Sequence, residues 1–273
     1  MAQDYEKAIE IAKGIYWVGY NDEKLGLHAN PYLIKEGQEA VLVDGGSRPD
    51  FSTVMMKILQ TGLDPSQIVR LIYHHYDPDL CGSIPNLESI IKNSELEIIS
   101  QRYNNIFIQH YAVNSPKHCV NEMGKTWGFR TGRRLRFINT PYSHSPGSFV
   151  TFDEETGTLF SSDIFGAYSK EWELYLRIMP ECLECADYEN CVYKDKQCFM
   201  PGIINFHNVI MTSNDALHHA LNEIEKLPIK RIAPQHGSII EGEENVRTMI
   251  HKLKGLNTIG IDNIIQNGVG ALW

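Results

Sequence analysis

No stretch of this chain approaches the roughly 18 consecutive apolar residues that a membrane-spanning helix needs. Positive charge is scarce: 25 Lys and Arg against 34 Asp and Glu leave a formal net charge of -9 over 273 residues. That balance argues against phosphate backbones and anionic lipid surfaces as main partners, so neither nucleic acid nor a membrane is expected. The opening residues, MAQDYEKAIEIAKG, carry acids where a secretion signal has a basic region and an apolar core. A cytoplasmic location is the expectation. Cysteine is limited to six positions, and in a reducing compartment these are expected as thiols or metal ligands rather than disulfides. Pro/Ser-rich linkers and low-complexity tracts are also lacking, so the chain is expected to form a single domain over 1–273.

What is present is a succession of short β-like runs separated by helical patterns. Residues 14–20, 31–36 and 39–46 read as strands, the last ending in the turn signal Asp44-Gly45-Gly46. Residues 50–61 have apolar side chains at helical spacing and stop at Gly62, a suitable C′ residue. A strand ending near His75 follows, then a helix over about 81–93 and a strand, LEIIS. Residues 134–140 read as a strand, and 148–153 with 158–161 as a hairpin across EETG. A helix near 213–226, the strand KRIAPQHG and a helix over 244–255 close the pattern. Strands alternating with helices predict sheets whose outer faces are covered by helices. The interval 166–205 has little periodicity and holds four cysteines, so it is expected to be an insertion.

Four of the β-like runs lead into residues able to bind metal. They are LIYHHYDPD (71–79), FINTPYSH (137–144), TLFSSD (158–163) and RIAPQHG (231–237). Together they supply His75, Asp77, Asp79, His144, Asp163 and His236. Carboxylates behind apolar runs are costly unless paired or coordinated. Six N and O donors suit two metal ions, with one carboxylate between them. Extended backbone would send His75, Asp77 and Asp79 to one side and His74 to the other. His74 is therefore expected as a packing or supporting histidine.

The order His75-x-Asp77-x-Asp79, His144, Asp163, His236 resembles the metal signature of the metallo-β-lactamase fold over nearly the whole chain. A carboxylate at Asp77, where hydrolases of that fold usually carry histidine, is similar to the flavodiiron proteins and to the stand-alone oxygen-binding diiron proteins. YSHSPGSF, SSDIFG and APQHG resemble flavodiiron segments as well. The resemblance implies an α/β fold, a metallo-β-lactamase-like αββα sandwich. It also implies two irons, one held by His75, Asp77 and His144, the other by Asp79 and His236, with Asp163 as the bridge. Carboxylate-rich mixed ligation suits iron, although zinc accepts the same donors.

Two departures stand out. Asp77 is one methylene shorter than the family's usual Glu. Leu80 occupies the place of a histidine, which implies an open position on the second iron. The function implied is O2 binding as a diferric peroxo adduct, in a sensor or carrier. An O2 or NO reductase with an external electron donor and a zinc-dependent metallohydrolase are the alternatives. No flavodoxin domain and no FMN are expected in this chain. A redox or signalling partner and a homodimer are implied by the resemblance alone. His28 resembles a family histidine near the ligand pocket, which implies a supporting role behind the metal ligands or a hydrogen bond to an iron-bound oxygen species; a solvent histidine is the alternative.

Other residues carry weaker signals. Cys182-x2-Cys185-x5-Cys191-x6-Cys198 opens with the spacing of a metal knuckle and then departs from it, leaving zinc, an iron–sulfur cluster or plain thiols open. Cys81 is expected to be buried and Cys119 a surface thiol. Phe165 and Tyr168 follow Asp163 and read as pocket or packing aromatics. The basic run TGRRLRF (131–137) is expected as a solvated strand edge.

Overall fold

The computed structural model describes residues 4–21, 26–169, 172–185 and 198–268. Among these, seven strands form one sheet and six form another. The first sheet runs β1 (Ile9–Ala12), β2 (Ile15–Trp17), β3 (Tyr32–Glu36), β4 (Glu39–Val43), β5 (Ile68–Ile72), β6 (Glu97–Ser100) and β7 (Lys117–Cys119) in spatial order. Its first four strands pair antiparallel, and β4 to β7 pair parallel. The second sheet holds β8 (Thr126–Gly128), β9 (Arg134–Asn139), β10 (Phe149–Asp153), β11 (Thr158–Phe160), β12 (Arg231–Ala233) and β13 (Ile240–Glu241), in the reverse of chain order.

Side-chain alternation divides the apolar residues into three layers. On β4, Val41 and Val43 face the space between the sheets with Ile72, Ile99, Phe137, Phe149 and Phe160. Ala40 and Leu42 face the other way, against Val54 and Ile58 of α1 (Phe51–Gln60) and Ile84 and Leu87 of α3 (Ile84–Ile91), α2 being the short turn Pro78–Cys81. Because helices cover one face and a sheet the other, β4 is apolar at nearly every position, as buried parallel strands are. The second sheet is built alike. Val150, Phe152, Leu159 and Ile232 pack under Leu217 and Leu221 of α7 (Asn214–Ile224) and Met249 and Leu253 of α8 (Glu243–Lys254). The result is the expected αββα sandwich. Helix α1 stops as its sequence indicates: Gly62 adopts φ +74°, and its N–H donates to the Leu59 carbonyl.

The interval expected as an insertion contributes to the core. Trp172 and Leu174 are buried between the sheets; after α4 (Arg102–Ile108) and the short α5 (Pro180–Glu184), α6 (Met200–Ile210) starts inside the interval and packs Ile203 against the second sheet's cluster. Its apolar residues serve two different layers, so no single period marks them. The described strands also include β1, β7, β8 and β13, each too short to stand out as a pattern. Cys119 is buried rather than a surface thiol. Arg133, expected on a solvated edge, is buried in a two-pronged ion pair with Asp153, at 2.8 Å from Nε to Oδ1 and 2.9 Å from Nη2 to Oδ2. The pairing across β9 and β10 that brings these residues together has no counterpart in local sequence. Among the described residues, no helix is long and apolar enough to cross a membrane.

Topology places four loops together. β9 and β11 both run antiparallel to β10, and β12 runs parallel to β11, so β9, β11 and β12 end on one edge of the second sheet. His144, Asp163 and His236 follow those three ends. His75 follows β5 in the facing sheet.

Candidate metal centre

Asp163 lies at the middle of the convergence. Its Oδ2 is 2.9 Å from His144 Nε2 and 3.8 Å from His75 Nε2. Its Oδ1 faces the other way, 3.7 Å from His236 Nε2. Asp77 Oδ2 adds a carboxylate to the first group, 3.6 Å from His144 Nε2 and 3.9 Å from His75 Nε2. Asp79 Oδ2 adds one to the second, 3.0 Å from His236 Nε2. Among the described residues, His75, Asp77 and His144 form a group whose ligand atoms all lie within 4.8 Å of one another.

The two aspartates of the first segment arrive by a route that strand alternation does not anticipate. β5 ends at Ile72, and Asp77 is the N-cap of α2, with Asp79 in that helix's first turn. Pro78 at the first helical position starts the turn. Asp77 and Asp79 therefore reach the centre from a helix start, both more than a third exposed, while His75, Asp163 and His236 are buried. Leu80, on the same turn, packs into the core between the first sheet and its helices. Cys81 is buried beside it, as expected.

Neighbouring groups fix the histidine rings. Ser162 Oγ lies 3.1 Å from His75 Nδ1, and the His28 carbonyl lies 2.8 Å from His236 Nδ1. With each Nδ1 engaged, both Nε2 atoms face the aspartates. The His236 loop is held by Asn30, whose Nδ2 donates to the carbonyls of Pro234 and Gly237, and by Tyr32 Oη, which donates to Pro234. Gln235 N–H donates to the Ser162 carbonyl, tying this loop to that of Asp163. Asn104 Nδ2 donates to the carbonyls of His74 and Gly147, and so clamps the His75 segment to the His144 loop. Ser162, Tyr142 and Phe165 have φ of 54°, 63° and 71°, a left-handed cluster costly for such residues and concentrated around the centre.

His74 turns away from the centre. Its Nδ1 lies 2.6 Å from Asp44 Oδ2 and its Nε2 2.9 Å from Thr151 Oγ1, bracing the two sheets. The His28 ring stacks on Trp172 and meets the Ser169 carbonyl at 2.8 Å, while its main-chain carbonyl is what touches His236. Phe165 is buried packing; Tyr168 rests edge-on against Phe206, which packs on His236. Of the cysteine group, Cys182 is buried, Cys185 and Cys198 are half-buried, and Cys191 lies outside the described residues. Cys182, Cys185 and Cys198 do not form a close ligand group among the described residues.

Electrostatics at the centre favour opposite charges held together. Burial pushes the Asp163 carboxyl up, but His75, His144 and His236 more than reverse this and hold it well below the usual carboxylate range. Burial likewise opposes ionisation of Asp79, and its contact with His236 outweighs that, so Asp79 is lowered. Burial disfavours charged His144, yet Asp163 raises it. Against the same burial, Asp79 and Asp163 push His236 up to about 9. Even so, neither His144 Nε2 nor Asp163 Oδ1 has a well-aligned hydrogen-bond partner. Buried polar atoms left in this state are rare and costly. Three imidazole nitrogens and three carboxylates aimed inward fit cations better than protons.

Comparisons with known proteins bear on the fold and the family. A family model described as ODP family beta lactamase matches residues 27–237. The chain is similar to the apo state of a chemotaxis sensor ODP from T. denticola, at 25% identity and a TM-score of 0.74, covering 95% of this chain and 97% of that one. A flavodiiron protein from Giardia intestinalis, at 18% identity and a TM-score of 0.73, shares the fold over 93% of this chain and 60% of its own. The anaerobic nitric oxide reductase flavorubredoxin of Pectobacterium carotovorum subsp. carotovorum (strain PC1) is 26% identical over 244 residues, which is 85% of this chain and 46% of the relative. This chain thus spans about half the length of the flavorubredoxins it matches. The sandwich is metallo-β-lactamase-like, and the chain belongs to the ODP family beta lactamases.

Proposed function

We propose that this chain holds two iron ions, one between His75, Asp77 and His144 and the other between Asp79 and His236, with Asp163 shared. The reading is that the pair binds O2 and that the chain acts as an oxygen sensor or carrier. The observation that carries it is the two-sided approach to Asp163, with Oδ2 toward His75 and His144 and Oδ1 toward His236. When bound, ferrous iron would supply the electrons that O2 needs to bind.

The chain's own residues then do the rest. Ser162 and the His28 carbonyl orient the imidazoles, and buried Asp163 keeps its charge available for both ions. The second group offers one nitrogen and one carboxylate besides Asp163, against two nitrogens and one carboxylate in the first. Leu80 supplies no donor there. A less fully ligated second ion leaves room for a small ligand beside it. Family membership and the likeness to a chemotaxis sensor ODP support sensing.

Element-resolved metal content tests this first, followed by anaerobic reduction and exposure of the iron-loaded protein to O2. Two irons per chain and a new visible absorption band are expected. A colourless, zinc-only protein would sink the reading. The likeness to nitric oxide reductase flavorubredoxins favours a second reading, reduction of O2 or NO with electrons from a separate donor. Sustained gas consumption with a reducing partner would select it, whereas uptake limited to one equivalent selects the sensor.

A further inference from the structure

The rings of an aromatic cluster behind His236 are none of the six proposed metal donors. The His28 ring stacks on Trp172 with centroids 4.6 Å apart and planes 22° from parallel. Trp172 lies 5.0 Å from the ring of Tyr5, and Trp17 completes the cluster at 5.8 Å from Trp172 and 6.0 Å from Tyr5. His28 is joined to the centre through its carbonyl, which accepts from His236 Nδ1 at 2.8 Å. Trp172 is buried, whereas Tyr5 is partly open to solvent. Indole and phenol are among the side chains most easily oxidised by one electron. The cluster thus reaches from a ligand of the centre to the surface through oxidisable groups.

We propose that His28, Trp172 and Tyr5 form an electron relay that carries an oxidising equivalent from the metal centre out to Tyr5. This rests on the reading of the centre as iron. The two tryptophans differ in a way that selects the route. Lys57 Nζ sits 4.0 Å over the ring of Trp17, held there by the carbonyls of Tyr5 and Gly19. Burial lowers Lys57 to about 8, which leaves it protonated at neutral pH, and that ammonium opposes loss of an electron from the ring beneath it. Both indoles donate Nε1–H to a carbonyl oxygen, Trp17 to Asn30 Oδ1 at 2.8 Å and Trp172 to Gly237 at 3.0 Å, so the ammonium over Trp17 and the stack of Trp172 on His28 are what set the two apart. Trp172 is the carrier, and Trp17 is bypassed. Tyr5 Oη accepts from the Leu174 N–H at 3.1 Å, and its ring is more exposed than those of His28 and Trp172; loss of the phenol proton would bring the equivalent to rest there.

The chemistry balances with hydrogen peroxide as oxidant. Peroxide needs two electrons and two protons to become two waters. When a mixed-valent iron pair has only one electron to give, Tyr5 supplies the second through Trp172. Its phenol also supplies one proton, solvent supplies the other, and Tyr5 is left as a neutral phenoxyl. The relay would spare the ligands when the irons run short of electrons.

The test mixes partly oxidised, iron-loaded protein with hydrogen peroxide and reads frozen samples by electron paramagnetic resonance, with iron content measured on the same material. A phenoxyl signal is expected in the parent protein. It should be lost in Tyr5→Phe and in Trp172→Phe at unchanged iron content and circular dichroism. An undiminished signal in either variant, or none in the iron-loaded parent, overturns the relay. A second arm uses metal-free protein and flash photo-oxidation with a soluble ruthenium complex. There an indole radical should pass to a phenoxyl in the parent and persist in Tyr5→Phe; equal decay in both also overturns it. If no iron binds, the proposed function fails while the second arm still judges the relay.

Discussion

The two halves of the centre share one aspartate and differ in nearly everything else. Both halves draw on the two sheets, but the half around His75 and His144 has three side chains besides Asp163 within mutual ligand distance. The half around His236 has a single close pair, His236 with Asp79 at 3.0 Å. Its rigidity comes from behind, where Asn30, Tyr32 and the His28 carbonyl fix the His236 loop. Donor-rich and donor-poor halves joined by one carboxylate would hold two ions with unequal grip. Such an inequality would separate an ion that anchors from one that can exchange a ligand.

The strongest way to break this comparison is to remove what the halves share. Asp163→Ala should empty both, with iron content falling toward zero; retention of one full equivalent would show that the carboxylate does not serve two ions. His236→Ala should cost only the donor-poor half, so that metal analysis finds about half the parent's iron. Loss of both ions in that variant would mean that the halves are not separable.

Changing pH sharpens the contrast more gently. His236 is held up to about 9 in the metal-free chain, above its ordinary value near 6.5. It therefore carries a proton at neutral pH that an incoming ion must displace. Affinity at the donor-poor half should climb about tenfold per pH unit and level off above pH 9, as read by chelator competition. A flat profile between pH 6.5 and 9 would contradict the ligand assignment. The smallest effect is expected from Ser162→Ala, which frees His75 Nδ1. It should weaken the donor-rich half roughly tenfold without changing the metal count. Equal weakening of both halves would show a general loss of structure instead.

Much of this was legible before folding. Periodicity alone located β3, β4, α1, β9, the β10–β11 hairpin, α7 and α8 close to their observed limits, because each buries a regular face. The six donors stood out because each follows an apolar run. Other features left no local trace. Arg133 looked like any basic residue on a strand edge, and only the partnership with Asp153 at the end of the neighbouring strand β10 explains its burial. Trp172 and α6 were hidden in an interval of broken periodicity. The supporting contacts of Asn104, Ser162 and Asn30 lie between segments far apart in the chain.

The sequence by itself determined which donors exist, their order and the two-layered sheet pattern that would carry them, since hydrophobic alternation and side-chain chemistry are local properties. Tertiary structure alone decided how those donors divide. Asp77 and Asp79 became the cap and first turn of a helix rather than strand residues, and Asp163 came to face two ways. Which oxygen meets which histidine depends on strand direction and on loops from opposite sheets meeting at one edge, and no local pattern encodes such a meeting.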